Sequence, residues 1–158
     1  RVIRFKTAKL FEASARLGAI LGGASAPIEE ACAAYGRSLG TGFQLVDDLL
    51  DYEGNSEELG KNVGDDLREG KPTLPLLIAM ERGTAAERAL VRKAIEAGEV
   101  QRLGEIVDIV RRTGAIDATR AAANVEVDKA RACLAPLPDG EARAALLELC
   151  GRSVRRSS

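Results

Sequence analysis

The stretch FQLVDDLLDY, from Phe43 to Tyr52, places three aspartates within a strongly apolar run. Ionised carboxylates this close together repel one another and resist burial in an apolar core. On an α-helix with Gln44 set at zero, Asp47, Asp48 and Asp51 lie at about 300°, 40° and 340°. These four polar side chains therefore share one face, and the intervening leucines and valine occupy the opposite face. The pattern predicts an amphipathic helix whose acidic face need not enter a dry core.

Apolar residues recur at helical spacing along almost the whole chain, which predicts an all-α, bundle-like fold. We expect a first helix from about Val2 to Leu21. A second helix, of about 27 residues, is expected from the Ser25 and Pro27 start signal to Gly54. Later helices are expected at 72–80, 84–98, 100–113, 116–134 and 141–151. The capping box formed by Thr84 and Glu87 marks one of these helix starts.

The bulk composition limits the classes of function. With 158 residues, 46% of them hydrophobic, the chain is long enough for one domain with a sizeable core. Its 23 basic and 24 acidic residues provide no basic field for nucleic acid. Three cysteines without CxxC spacing, together with the absence of histidine, argue against disulfides, zinc sites and His-based triads and favour a cytoplasmic location. No apolar run approaches the roughly 18 to 20 residues of a transmembrane segment.

A polar, glycine-punctuated stretch follows the acidic helix, from Glu53 to Lys71. Such a loop is either solvent-facing filler or a functional lid. It contains two lysines that follow glycine, Lys61 and Lys71. The segment GKPT around Lys71 is not a P-loop, because it lacks the upstream glycine at the right distance and the Ser/Thr directly after lysine, and no strand precedes it. An EF-hand is excluded by Ser56 at its glycine position and Asn62 at its final glutamate position.

The acidic face has two interpretations. Most acidic clusters are solvated helix faces, and residue types alone leave that interpretation open. Against it, no cation lies one turn beyond Asp47, where a solvent face would mix charges. Carboxylates without histidine or thiolate suit magnesium or manganese. The ligands of magnesium are typically a few carboxylates, waters and substrate phosphates. Gly36 and Gly40 on the same stripe indicate close approach of either a ligand or another helix.

Three segments, in their order and spacing, resemble the all-trans polyprenyl diphosphate synthases, most closely the octaprenyl-type enzymes. They are FKTAKLFEAS, GTGFQLVDDLLDY and LGKNVGDDLREGKPTLPLL. The resemblance covers essentially Ile3 to Arg152 and the C-terminal half of that family. It implies an isoprenoid synthase fold in which two aspartate-rich motifs hold magnesium across a cavity. Residues 1–152 would be the C-terminal portion of one such domain and 153–158 a tail, so the chain is expected to be truncated.

The resemblance also implies roles for individual residues. Asp47 matches the direct metal ligand of the second aspartate-rich motif, with Asp48 and Asp51 supporting it or binding through water. The remaining matches are positions that contact substrate. Lys6, Lys61 and Lys71 match lysines that bind the diphosphate of the allylic substrate, Lys6, Thr7 and Gln44 match catalytic positions at the reaction centre, and Phe43 matches a cavity residue beside the homoallylic substrate.

The implied reaction condenses an allylic prenyl diphosphate with isopentenyl diphosphate to a long-chain polyprenyl diphosphate. Magnesium and lysine neutralise the leaving diphosphate, the isopentenyl double bond attacks the allylic cation, and released diphosphate takes the proton. Family members are usually homodimers, and a dimer is expected for the full-length protein.

The chain departs from the family at one point. It contains no first aspartate-rich motif with paired arginines, and Asp65 and Asp66 are only a superficial candidate because the arginine pair is missing. The fragment alone is therefore expected to be inactive. Two alternatives are a non-catalytic partner subunit of a heteromeric synthase and a helical bundle without a ligand.

Overall fold

The computed structural model describes residues 7–53, 64–98 and 100–155. Within these ranges the chain forms helices and no strand, which confirms the predicted all-α class. The helices are α1 (Lys9–Leu21), α2 (Ala26–Glu53), α3 (Asp65–Arg68), α4 (Leu74–Arg82), α5 (Ala85–Ala97), α6 (Leu103–Arg112), α7 (Ala115–Cys133) and α8 (Glu141–Val154). None of these helices is long and apolar enough to cross a membrane.

The first long predicted helix ends, and the second begins, where the local signals indicate. Helix α1 ends at Leu21, and Gly23 follows with φ of 67°, a left-handed conformation that glycine adopts without strain. Helix α2 is 28 residues long and begins directly after Ser25. It carries the whole predicted acidic stretch on one continuous helix.

The region after α2 differs from the prediction. Part of the expected loop forms the short helix α3, and α4 begins at Leu74 instead of Pro72. Thr73 has an extended backbone, with φ of −74° and ψ of 161°, and Pro75 lies in the first turn of α4. Proline is favoured at this position because the first-turn N–H groups have no helical acceptor. Residues 54–63 of the loop lie outside the described ranges.

The capping box predicted at the start of α5 is present. The backbone N–H of Glu87 donates to the Thr84 hydroxyl at 3.3 Å, and the Thr84 N–H donates to the Glu87 carboxylate at 2.8 Å. Gly98 ends the same helix with φ of 64°. Helix α8 continues to Val154, three residues beyond its expected end at Gly151.

The chain divides into two compact units, which we call the first and second units. Among the described residues, the first unit comprises 7–46 and 122–155. Its core brings together residues of α2, α7 and α8 with the turn after α7, namely Tyr35, Leu39, Val127, Ala130, Leu134 and Cys150. The Tyr35 hydroxyl donates a 3.0 Å hydrogen bond to the Leu146 carbonyl, which ties α2 to α8.

The second unit comprises the described residues 47–53, 64–98 and 100–121. Its core is formed by the last residues of α2 together with α3 to α6 and the start of α7. The largest side chains in it that are less than 2% exposed are Tyr52, Leu67, Leu76, Ile106, Val91, Val107 and Val110. Helix α6 buries one face in this core. The branched apolar residues of that face recur every three to four positions, as in an amphipathic helix.

Candidate functional site

Thr7 and Gln44, two predicted reaction-centre residues, are in contact in the first unit. The Thr7 hydroxyl donates to the Gln44 side-chain oxygen at 2.6 Å. Close packing of α1 on α2 brings them together, because a Cβ at Gly40 would lie 2.9 Å from the Ala8 Cα atom. A Cβ at Gly36 would likewise overlap the Phe11 backbone. Helix packing therefore accounts for the two glycines that the sequence left open.

Phe43, the predicted cavity residue, contacts Phe11 of α1. The two ring centroids are 5.4 Å apart, with the ring planes tilted by 39°. This separation is typical of a favourable aromatic pair. The contact fixes one side of the Phe43 ring and leaves the residue only partly buried.

Glu12 is the buried acid of the first unit. Its carboxylate accepts hydrogen bonds from Arg37 at 3.1 and 3.2 Å and from Lys9 at 3.0 Å. The bonds from Arg37, followed by those from Lys9, lower the pKa of Glu12 to about 2. Arg37 lies on the polar stripe of α2, and no sequence pattern indicated that its partner would be an acid on α1.

The three aspartates at the end of α2 lie in different environments of the second unit. Asp47 is exposed, Asp48 is only 4% exposed, and Asp51 is partly buried. The helical pattern does not require this acidic face to enter the interior, and it did not predict the burial of Asp48. Its neighbours Leu49 and Tyr52 are fully buried as well. The buried face of this stretch of α2 is therefore wider than a single apolar stripe.

Asp51 binds the backbone at the start of α3. Its Oδ1 atom accepts from the N–H groups of Gly64 at 3.1 Å and Asp65 at 3.2 Å, and its Oδ2 atom accepts from Asp66 N–H at 3.3 Å. Burial, followed by the charge of Asp66, raises the pKa of Asp51 to about 6, although the three N–H donors oppose the rise. The carboxylate acts as a helix cap supplied from another element.

Lys71, the predicted diphosphate lysine, lies just after α3. Its ammonium contacts the Glu69 carboxylate at 2.5 Å and the Asp66 carboxylate at 2.9 Å. The hydrogen bonds that the ammonium donates to Glu69 and then to Asp66 raise the pKa of Lys71, so its charge persists at neutral pH. The other two predicted lysines, Lys6 and Lys61, lie outside the described residues.

The donor chemistry of the second unit fits a hard divalent cation. Asp47 and Asp48 present carboxylate oxygens at the end of α2, and both oxygens of Asp51 already accept N–H groups. In the described ranges no three Asp, Glu, Cys or His side chains form a group that could hold a metal by themselves. Magnesium does not need such a group, because water and substrate phosphate complete its octahedron. The metal assignment of Asp47, Asp48 and Asp51 stays a prediction.

Comparison with known proteins gives the family. Residues 1–111 match the family model described as polyprenyl synthetase. The chain belongs to this family. The octaprenyl diphosphate synthase of Escherichia coli (strain K12) is 50% identical over 157 residues, which are 99% of this chain and 49% of the relative. The heptaprenyl diphosphate synthase component 2 of Geobacillus stearothermophilus is 40% identical over 151 residues, covering 94% of this chain and 46% of the relative.

A solved member of the polyprenyl synthetases shares the fold. The crystal structure of a polyprenyl synthase from Caulobacter crescentus CB15, complexed with calcium and isoprenyl diphosphate, matches with a TM-score of 0.89 and 42% identity. The match covers 99% of this chain and 48% of that structure's chain. The all-α class is therefore that of the isoprenoid synthases, as the resemblance implied. The chain spans about half the length of the relatives it matches.

Asp66 and Glu12 are the residues that sequence reasoning missed. Asp66 entered it only as a superficial match to a first aspartate-rich motif, yet it contacts both the predicted lysine, Lys71, and Asp51. A signal was present, because Asp66 lies between Gly64 and Gly70, both with positive φ. Two such glycines around five residues mark a fixed turn.

Proposed function

We propose that this chain is the diphosphate-binding half of a trans-prenyltransferase that extends an allylic prenyl diphosphate with isopentenyl diphosphate. The observation that carries the proposal is the charged Lys71 ammonium on a turn anchored to the aspartate-rich end of α2. It is supported by 50% identity to an octaprenyl diphosphate synthase and by similarity to a structure holding calcium and isoprenyl diphosphate. We include a long-chain product in the proposal, and the similarity to the first of these relatives supports it.

Each residue has a physical task in this proposal. Lys71 contributes positive charge to the leaving diphosphate, together with Lys61 and Lys6. Asp47 and Asp48 hold magnesium, which when bound neutralises the same diphosphate. These groups need no histidine, because charge stabilisation of the leaving group requires no general base.

In this proposal Thr7 and Gln44 act at the reaction centre and not on the leaving diphosphate. Their 2.6 Å hydrogen bond fixes the orientation of the Gln44 amide, whose oxygen accepts from the Thr7 hydroxyl. A fixed amide beside the reaction centre would orient substrate without moving a proton. Phe43, which packs against Phe11, would close the homoallylic side with an apolar ring.

The proposed enzyme also needs a complementary half of the fold. Helix α1 packs Ala8, Phe11 and Ala15 towards the first unit and exposes an apolar stripe on its other side. The stripe consists of Leu10, Leu17, Ile20 and Leu21, which are 70%, 56%, 50% and 87% exposed. Large apolar side chains that are exposed together along one helix face are typical of a protein contact surface. We therefore assign the stripe to contact with helices equivalent to the other half of the relatives, and we include the homodimer in the proposal for the full-length protein.

The test is prenyl transfer by the longest gene product that contains this sequence, with labelled isopentenyl diphosphate, an allylic primer and magnesium. Asp47→Ala and Lys71→Ala should each lower kcat/KM by about 10² or more, since each removes charge stabilisation from the leaving group. Exposed Asp139→Ala is the control. Normal prenyl transfer in both site variants would show that the assignment is wrong. An inactive product that changes the chain length made by another synthase would favour the partner-subunit alternative.

The stripe has its own test. Leu17→Glu with Leu21→Glu should leave the unfolding free energy of the 158-residue chain within about 0.5 kcal/mol, since both side chains are exposed there. In the longer gene product the same pair should cost several kcal/mol, because each charge would be buried. Equal effects in the two proteins would exclude the stripe as a contact surface.

A further inference from the structure

We propose that Asp66 is the positioning residue for Lys71, with Asp51 holding Asp66 in place. The inference deepens the proposed function and rests on it, because it takes Lys71 to bind substrate diphosphate. It gives Asp51 and Asp66 roles that act through the lysine. Neither role requires these two carboxylates to touch metal or substrate.

Asp66 contacts Lys71 at both ends of the lysine. The Lys71 ammonium donates to the Asp66 Oδ1 atom at 2.9 Å, and the Lys71 backbone N–H donates to the Asp66 carbonyl at 2.9 Å. The backbone bond belongs to a Schellman motif, in which Gly70 has φ of 65° and its N–H donates to the Leu67 carbonyl at 3.0 Å. Asp66 therefore fixes both the backbone N–H and the side-chain ammonium of Lys71.

Asp51 fixes Asp66 from the other side. Its three N–H bonds hold Gly64, Asp65 and Asp66 at the start of α3, and the last of these is the Asp66 N–H itself. Gly64 packs closely there, since a Cβ on it would lie 2.8 Å from the Leu103 Cδ1 atom. The start of α3 is thus held by Asp51 and its end by the Schellman motif. Asp66 lies between two fixed points.

Glu69 also contacts the Lys71 ammonium, at 2.5 Å, but it is a weaker positioning group. Its side chain is 62% exposed, whereas that of Asp66 is 19% exposed. An exposed carboxylate pays side-chain entropy to hold one geometry and is screened by salt. Glu69 therefore adds negative charge near the lysine, and Asp66 sets the direction of its ammonium.

Asp65 provides a matched control one residue away. It has the same charge and lies in the same helix, but its side chain is 59% exposed and pairs with Arg68. Asp65→Asn and Asp66→Asn change the net charge of the protein equally. Only the second removes the negative charge from a carboxylate that accepts from Lys71 and leaves a weaker, neutral acceptor.

The first experiment measures Lys71 directly in the 158-residue chain. Lysine amines are ¹³C-methylated, which keeps their charge, and the Lys71 signal is assigned with Lys71→Arg. Asp66→Asn should shift and sharpen this signal as the ammonium is released, Asp66→Glu should partly restore it, and Asp65→Asn should leave it in place. The proposal fails if Asp66→Asn leaves the signal unchanged or if Asp65→Asn changes it equally.

The second experiment measures binding of pyrophosphate with magnesium to the same chain. Asp66→Asn should weaken binding about three- to tenfold, since a mobile lysine must be ordered on binding. Asp65→Asn should change it less than about twofold. Lys71→Ala with Asp66→Asn should bind no more weakly than Lys71→Ala alone. Tighter binding by Asp66→Asn would overturn the proposal, because Asp66 would then be competing with phosphate.

The two experiments separate the inference from the proposed function. If Lys71→Ala leaves pyrophosphate binding unchanged while the Lys71 signal responds to Asp66→Asn, the diphosphate role of Lys71 is wrong and the positioning contact stands. If the wild-type chain binds no pyrophosphate, the signal comparison alone decides. Asp51→Ala should also speed amide hydrogen exchange at Gly64, Asp65 and Asp66, and unchanged exchange would remove Asp51 from the proposal.

Discussion

Arg37 and Glu12 form a two-point ion pair between α2 and α1, with N–O distances of 3.1 and 3.2 Å. Together with Lys9 this contact lowers the pKa of Glu12 from 4.5 to about 2. A carboxyl whose folded pKa is depressed stabilises the fold above its unfolded pKa and loses that contribution as the pH falls through its folded pKa. The window for Glu12 therefore lies between pH of about 4.5 and 2.

We expect Glu12→Gln to lower the unfolding free energy at pH 7 by about 1 to 2 kcal/mol, after allowance for the exposed parts of Lys9 and Arg37. The loss should shrink as the pH is lowered from 5 towards 3. Urea denaturation at each pH measures it. Glu148→Gln removes an exposed i,i+4 pair and serves as the control. A deficit that stays constant down to pH 3 would contradict the linkage.

The close approach of α1 and α2 depends on Gly40. A Cβ at this position would lie 2.9 Å from both the Ala8 Cα atom and the Phe11 side chain. Gly40→Ala should therefore destabilise the chain by about 1 to 3 kcal/mol, because the helices must move apart. Gly18, in α1, has no neighbouring atom within 4 Å of its Cβ position. Gly18→Ala should instead stabilise the chain by about 0.5 to 1 kcal/mol.

Thermal unfolding of the two alanine variants tests this pair. The Gly40 variant should melt below wild type and the Gly18 variant above it, since both gain the same helix propensity and only one gains an overlap. Two shifts of the same sign would show that backbone propensity, and not helix packing, explains the glycine at position 40.

The parts of the fold that were predictable depend on local chemistry. The side chains of Thr84 and Glu87 each accept from the backbone N–H of the other residue, within four residues of the chain. Gly23 and Gly98 end helices because glycine adopts positive φ without strain. The apolar spacing around Leu39 and Leu49 also decides which side of α2 is buried. These signals do not depend on the rest of the chain.

The parts that were not predictable depend on distant partners. Asp51 caps a helix that begins 14 residues later, and that helix has only four residues, too few for a hydrophobic period. Aspartate serves equally as a metal ligand, a cap and a surface group, so its role follows from what lies opposite. For the same reason Asp66 resembled a motif residue, and the burial of Asp48 was unexpected.

The capping box of α5 offers a direct stability test. Thr84→Ala removes the acceptor of the Glu87 N–H, a bond of 3.3 Å, and should cost about 1 kcal/mol. Thr84→Ser keeps a hydroxyl at the same position and should cost a few tenths of that value at most. Chemical denaturation of the three proteins measures the difference. Equal losses for alanine and serine would mean that the threonine methyl group, and not its hydroxyl, is responsible.

Two buried tyrosines should respond oppositely to loss of their hydroxyls. Tyr52 is fully buried, and its hydroxyl and that of Thr73 make no hydrogen bond of normal geometry in the described part of the chain. Tyr35 instead donates to the Leu146 carbonyl at 3.0 Å. Tyr52→Phe should therefore leave stability unchanged or raise it by up to about 1 kcal/mol, because an unsatisfied polar group is removed.

Tyr35→Phe should lower the unfolding free energy by about 0.5 to 1.5 kcal/mol, since the hydrogen bond to the Leu146 carbonyl is lost. Both variants delete one oxygen from a ring that stays buried, so packing changes little in either. Urea denaturation at pH 7 compares them. A loss above about 1 kcal/mol in Tyr52→Phe that disappears in the double variant with Thr73→Val would show that the two hydroxyls bond to each other in solution.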